Sequence, residues 1–143
     1  MTTWKKISLI TTIIGLVDSI YLTVLKYSNN KALCIEGVGD CWSVNISPYS
    51  EIWGIPVAVF GAGAYLAILA LLVLESRQPT IRRFFPYLFF GITLCGTIYS
   101  AYLTYLEIAV IKAICPFCVI SAITMLILFI LSLHRLSNPA ANN

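Results

Sequence analysis

Four long apolar stretches divide the chain, and they cover residues 7–27, 55–74, 86–108 and 116–133. Each has close to the ~20 residues that a helix needs to cross the apolar core of a bilayer. Shorter segments richer in polar residues, Gly and Pro separate them. The pattern predicts an all-α integral membrane protein, in which a bundle of four transmembrane helices forms one domain over residues 1–143.

Composition supports this class of protein. Of the 143 residues, 59% are hydrophobic and 10% are charged, whereas soluble domains carry about 25% charged residues. Lys5 and Lys6 precede the first apolar stretch, as they would in a signal peptide. That stretch is longer than a typical signal sequence and has no small-x-small cleavage site after it. We therefore expect a retained helix, and no room for a separate soluble domain.

The distribution of Lys and Arg predicts the orientation in the membrane. With four spans, the two termini and the middle loop share one side, which holds Lys5, Lys6, Arg77, Arg82, Arg83 and Arg135. The opposite side holds Lys26, Lys31 and Lys112. By the positive-inside rule both termini are cytoplasmic, and segments 27–53 and 107–114 face outward. The net charge of +3 reflects this bias and does not indicate nucleic-acid binding.

Two cysteine pairs fall on the predicted outer side, where disulfides form and persist. Cys115 and Cys118 form a Cys-x-x-Cys motif at the start of the fourth span. Unpaired N–H groups and the positive end of the helix dipole stabilise a thiolate there. Cys34 and Cys41 flank a polar loop with two glycines, which suits a disulfide that closes and reopens. The pattern predicts a thiol relay that ends on a lipid-soluble two-electron acceptor, such as a quinone.

Other interpretations of the four cysteines are a zinc site or structural disulfides. Zinc modules normally combine two short-spaced clusters in one soluble unit, whereas two membrane spans separate these pairs. No metal is therefore expected. A non-enzymatic membrane protein with structural disulfides remains an alternative to the relay.

An internal repeat relates the two halves of the chain. Residues 19–34 and 100–115 are identical at eight of sixteen positions, and Gly15 corresponds to Gly96. The halves are then parallel repeats of two spans each. Because Cys34 and Cys115 occupy equivalent positions, we expect them at the same membrane depth.

Three further residues have expected roles in the fold or at the site. Ser47 is expected to cap a short helix on the outer membrane surface, with Pro48 at its first position. Asp18 is an acid within the first apolar stretch, where a functional role and a hydrogen-bonded structural role are equally favoured. Cys95 is interpreted as a structural cysteine of the third helix.

The order of these motifs resembles the vitamin K epoxide reductase family, above all its bacterial and archaeal members. The resemblance covers nearly the whole chain. It rests on the loop cysteines, Ser47-Pro48-Tyr49, Trp53-Gly54-Ile55-Pro56, Tyr102-Leu103 and Cys115-Pro116-Phe117-Cys118.

The resemblance implies a role for each cysteine. Cys118 matches the residue that reacts with the quinone, and Cys115 is its disulfide partner in the resting oxidised state. Cys41 matches the loop cysteine that attacks this bridge at Cys115, and Cys34 the one that exchanges with the thiol substrate. Ser47, six residues after Cys41, matches a family serine near the quinone. By a looser alignment, Ser50, Trp53 and Leu103 fall where family members line the quinone head-group pocket.

The activity implied is that of a membrane thiol:quinone oxidoreductase that supports disulfide bond formation. Its acceptor is ubiquinone, menaquinone or a similar quinone. Its thiol partner is expected to be a separate DsbA-like protein of the thioredoxin fold, because no such domain follows the fourth span. The expected location is a bacterial or archaeal plasma membrane, with the active cysteines on the extracytoplasmic side.

A second implied activity is a thiol-driven reductase of quinones or of vitamin K epoxide. Two positions depart from the vertebrate pattern. Ala122 stands where vertebrate members have a tyrosine, and Ser50 stands where they have an asparagine that contacts vitamin K. Both departures weaken the case for epoxide reduction.

Overall fold

The computed structural model describes residues 3–28, 47–48, 51–112 and 114–138. Within these residues the chain forms four helices long and apolar enough to cross a membrane. They are α1 (Thr3–Ser28), α2 (Val57–Arg77), α3 (Pro79–Tyr105) and α4 (Pro116–Ser137). The predicted class, an all-α four-helix membrane bundle, is confirmed.

The middle loop is much shorter than the sequence predicts. We expected a connection over residues 75–85, but α2 continues to Arg77 and α3 begins at Pro79. Gln78 alone is extended, with φ −125° and ψ 122°. Pro79 can start a helix because the first helical residue has no intrahelical use for its N–H. Pro86, expected to start the span, lies inside α3 instead.

The third helix does not end as a regular α-helix. It continues as a π-helical segment, Leu106–Ile111, which Lys112 ends in the left-handed conformation with φ 56°. The backbone N–H of Lys112 donates to the carbonyl of Glu107. The wider turn changes which side chains of this segment face the bundle, and such segments are frequent at functional sites.

A small hairpin precedes α2. Strands β1 (Glu51–Ile52) and β2 (Ile55–Pro56) pair antiparallel. Trp53 and Gly54 form the two-residue turn, both with positive φ, as a type I′ turn requires. The predicted surface helix falls partly on residues 49–50, outside the described part. From Glu51 onward the chain is a hairpin, not a helix.

The helices pack as a ring in which α1 contacts α2 and α4, and α3 contacts the same two helices. The largest buried cluster combines side chains of α2, α3 and α4, such as Tyr65, Phe89 and Leu128. Many of the remaining Ile, Leu, Val and Phe side chains are exposed. This is the distribution expected of helices whose outer faces contact lipid.

The internal repeat is visible in the packing of α1 and α3. A Cβ atom at Gly15 would clash with the ring of Tyr65 on α2, and one at Gly96 would lie 2.8 Å from Met125 on α4. Equivalent glycines thus let a neighbouring helix approach closely in each half.

A charged cluster lies where α2 and α4 end. The guanidinium of Arg135 donates to Oε1 of Glu75 at 2.6 Å, and Nζ of Lys5 lies 3.6 Å from Oε2 of the same carboxylate. Arg135 also lies over the ring of Phe85, 4.4 Å from its centroid. This cluster neutralises a buried carboxylate at the end of the bundle remote from the start of α4.

Candidate redox site

The Cys-x-x-Cys motif occupies the start of α4. Cys115 is the N-cap residue, its carbonyl accepts the N–H of Val119 at 3.1 Å, and Pro116 is the first helical residue. The ring of Phe117 packs against Tyr21 of α1, with centroids 4.8 Å apart. Proline at the first position and this ring contact hold both cysteines at one place in the bundle.

The two cysteines differ in exposure. Cys115 is 1% exposed and packs with Leu22 and Leu25 of α1, whereas Cys118 is half-buried. Both are free thiols here, and their side chains are hydrogen-bonded to each other. The resting disulfide inferred from the resemblance stays a prediction.

The hydrogen bond between the thiols affects their acidity. The side chain of Cys118 lowers the pKa of the Cys115 thiol, and the backbone N–H groups of Cys118 and Phe117 lower it further. Burial and the nearby carboxyl of Glu107 act in the opposite direction but are outweighed. Cys115 is thus the thiol of the pair with enhanced thiolate character, which is the reactive form in exchange.

Glu107 is a member of this site that the sequence analysis did not select. It lies on the π-helical segment and is 3% exposed. Its Oε2 accepts the backbone N–H of Cys115 at 3.3 Å, and its carboxyl lies close enough to the Cys118 thiol for the two groups to interact. Glu107 could have been selected from the sequence, because it is an acid inside the predicted span 86–108. The same criterion singled out Asp18 in the first span.

A cavity of about 670 Å³ opens beside the cysteines. All four helices line it, and its walls are mainly apolar. Cys115, Cys118 and Glu107 lie at one part of its wall, with Tyr65 and Cys95 elsewhere on it. Ligand sites typically have volumes of about 300–1,000 Å³ and mostly apolar walls with a few polar groups. The cavity has the size and lining expected for an apolar ring compound.

The predicted quinone-site residues fall into three groups. Ser47 and Leu103 line the cavity together with the two cysteines of α4. Trp53 does not line it, because it occupies the hairpin turn and its side chain is 98% exposed. Ser50 lies outside the described residues, so its placement stays a prediction.

The loop cysteines, Cys34 and Cys41, also lie outside the described residues. Their expected proximity to Cys115 therefore stays a prediction. Among the residues that the structure describes, no group of three or more His, Cys, Asp or Glu side chains is arranged to hold a metal ion. Cys95, expected to be structural, is a free and exposed thiol on the cavity wall.

Comparison with known families gives a match across nearly all of this bundle. Residues 6–133 match the vitamin K epoxide reductase family. The chain belongs to this family. The resemblance inferred from the motifs is thus confirmed, and the matched range includes all four helices except the ends of α1 and α4.

A curated relative gives the same result. The chain is 34% identical over 122 residues to the "Thiol-disulfide oxidoreductase LTO1" of Arabidopsis thaliana. The alignment covers 82% of this chain but 32% of the relative, so the chain spans about a third of that protein's length. Family membership and this match support a thiol-dependent redox function.

Proposed function

We propose that the protein is a membrane thiol:quinone oxidoreductase. It takes two electrons from a thiol protein through the cysteine pair of α4 and reduces a quinone in the adjacent cavity. The observation that carries this proposal is the position of Cys115 and Cys118 on the wall of a mainly apolar cavity of about 670 Å³. A redox dithiol at such a cavity fits a lipid-soluble acceptor better than a water-soluble one.

The path of electrons follows from the difference between the two thiols. Cys115 is buried against Leu22 and Leu25 of α1, whereas the neighbouring thiol of Cys118 is half-buried. An incoming thiolate forms a bond to Sγ of Cys115, the Cys115–Cys118 bond breaks, and its electron pair stays on Cys118. Because Cys115 is buried by Leu22 and Leu25, this attack requires part of that packing to open.

The remaining assignments complete the proposal. Cys41 and Cys34 carry electrons from a DsbA-like protein of the thioredoxin fold to Cys115, and Ser47 and Leu103 contact the quinone. The pair faces the extracytoplasmic side of a bacterial or archaeal plasma membrane. Support for that side comes from the Lys and Arg distribution, and support for the partner from the thiol-disulfide oxidoreductase relative.

The proposal is tested by quinone turnover in proteoliposomes. Reduced DsbA-like protein and a ubiquinone or menaquinone analogue are supplied, and quinol formation is followed by absorbance. Cys118→Ala should abolish quinol formation, because no sulfur remains to pass the electron pair to the acceptor. Ser76→Ala, at the remote end of α2, serves as the matched control and should keep the rate. A Cys118→Ala variant with wild-type turnover would refute the proposal.

A further inference from the structure

We infer that Glu107 is a catalytic residue of the thiol exchange, in which its carboxyl group carries the proton of Cys118. The carboxyl takes this proton when Cys118 attacks and returns it when Cys118 leaves. The inference rests on the redox role proposed for the Cys115–Cys118 pair. It adds a proton carrier to a site in which the cysteines alone account for the electrons.

The geometry brings the carboxyl beside both cysteines. The N–H of Cys115 donates to Oε2 of Glu107 at 3.3 Å, which fixes the carboxyl beside the first cysteine. The same carboxyl lies near the thiol of Cys118, close enough for the two groups to interact. The π-helical segment places Glu107 there, since its 3%-exposed side chain points into the bundle and onto the cavity wall.

The charge environment explains why a proton carrier is needed. Among the residues that the structure describes, no Lys or Arg forms a salt bridge with Glu107. A Glu107 carboxylate and a Cys118 thiolate this close together would place two negative charges beside an apolar cavity. Such pairs hold one proton between them, because each charge disfavours the other.

The exchange step then balances in both directions. When an incoming thiolate bonds to Sγ of Cys115, the disulfide breaks, Cys118 keeps the electron pair and receives the proton of the Glu107 carboxyl. In the reverse step the carboxylate takes the proton from Cys118. The Cys118 sulfur bonds to Cys115, and the thiol bound there leaves with the electron pair of the broken bond.

The test follows the attack of Cys118 directly. A variant with Cys34→Ser, Cys41→Ser and Cys95→Ala retains only the pair of α4. Reduced protein in detergent is mixed with 2,2′-dithiodipyridine, and thiopyridone release is recorded. Cys115, the more acidic thiol, reacts first and releases one equivalent. Cys118 then closes the disulfide and releases the second. Cys118→Ser should give the first phase alone.

Replacement of Glu107 should slow the second phase only. Glu107→Gln keeps an oxygen that accepts the N–H of Cys115 but cannot carry a proton at neutral pH. General acid–base catalysis contributes about 100- to 10,000-fold, so we expect the closure rate to fall at least about 100-fold. Glu107→Asp, which restores a carboxyl, should recover part of the loss. Glu75→Gln, a buried carboxylate remote from the thiols, is the matched control and should close at the wild-type rate.

Two results would overturn the inference. One is closure of Glu107→Gln at the wild-type rate, and the other is equal slowing by Glu107→Gln and Glu107→Asp. Failure of the proposed redox role would give a different result. The variant that retains only the α4 cysteine pair and an intact Glu107 would then release one equivalent of thiopyridone and would not close a disulfide.

An infrared measurement on the unsubstituted protein avoids dependence on folded variants. Reduced-minus-oxidised difference spectra should show a protonated carboxyl band in the disulfide state that is lost on reduction, when the proton moves to Cys118. Carboxyl signals that do not change between the two states would contradict the inference.

Discussion

Glu75 and Glu107 are both buried acids, 1% and 3% exposed. Glu75 lies near the end of α2, and Glu107 lies on the π-helical continuation of α3. Because α2 and α3 run antiparallel, the two acids lie at opposite ends of the bundle. Glu75 contacts the guanidinium of Arg135 at 2.6 Å and the ammonium group of Lys5 at 3.6 Å. Glu107 contacts a backbone N–H and a thiol. The first carboxylate is paired with two cations, whereas the second lies beside a thiol with which it can exchange a proton.

The internal repeat shows how the second environment differs. In the register of the repeat, Glu107 corresponds to Lys26, whose ammonium group lies 3.0 Å from Glu51 of the hairpin. One half of the molecule thus has an ion pair at this position, and the other half has an acid beside two thiols. The difference shows that burial alone does not define the role of a carboxylate. The role depends on whether the neighbouring groups are cations that pair with it or a thiol that can exchange a proton with it.

The largest effect is expected where a cation is removed from the Glu75 end. Arg135→Met should lower the free energy of unfolding by about 3–5 kcal/mol, since it removes the main partner of a buried carboxylate. The double variant Glu75→Leu, Arg135→Leu should lose less than this single variant. Denaturant titration of the helical circular dichroism signal in detergent measures both. An equal loss in the single and double variants would remove the electrostatic basis of the comparison.

A medium effect is expected on the acidity of Cys115. Its pKa is lowered chiefly by the hydrogen bond from Cys118, so its thiolate should be present below the ordinary thiol midpoint of about pH 8.5. Cys118→Ala removes that hydrogen bond and should move the midpoint of Cys115 alkylation to higher pH. Glu107→Gln removes a negative charge that raises the pKa and should move the midpoint lower.

The alkylation rate of Cys115 is measured across pH with iodoacetamide and peptide mass spectrometry. The account predicts that the two variants shift the midpoint of Cys115 alkylation in opposite directions. A shift in the same direction in both variants would contradict it.

The smallest effect is expected at Trp53, which lies near the Glu107 end but outside the cavity. Its φ of 54° is left-handed, a conformation that Asn adopts more readily than other non-glycine residues. Trp53→Asn should raise the free energy of unfolding by about 1 kcal/mol and leave the KM for quinone unchanged. Thermal unfolding and steady-state turnover test both points. A large rise in the KM for quinone would indicate that Trp53 contacts the quinone.

Features set by the apolar pattern were predicted well. Residues 7–27 and 116–133 correspond to α1 and α4, because bilayer thickness imposes a minimum length on any span. The pattern cannot report where a helix continues beyond the bilayer core. The extension of α2 to Arg77 and the start of α3 at Pro79 were therefore missed, and a polar loop was predicted instead.

The sequence predicted only those site residues whose chemistry is evident from residue type and spacing or from the family motifs. Cys115 and Cys118 stand out by spacing, and Ser47 and Leu103 were placed by family resemblance. The position of Glu107 beside the cysteines depends on a π-helical turn. The repeat does not predict this turn, because the equivalent residue, Lys26, is part of a regular helix. The hairpin that turns Trp53 away from the cavity requires positive φ at a tryptophan, which residue preferences disfavour.

The most direct test of the central claim is a single turnover of the α4 pair with a quinone. Reduced protein with Cys34→Ser and Cys41→Ser is placed in nanodiscs and mixed with one equivalent of a ubiquinone analogue. Quinol is then measured by absorbance, and the oxidised cysteines are identified by mass spectrometry. We predict one quinol for each Cys115–Cys118 disulfide formed. Quinone that stays oxidised while both thiols remain free would contradict the account.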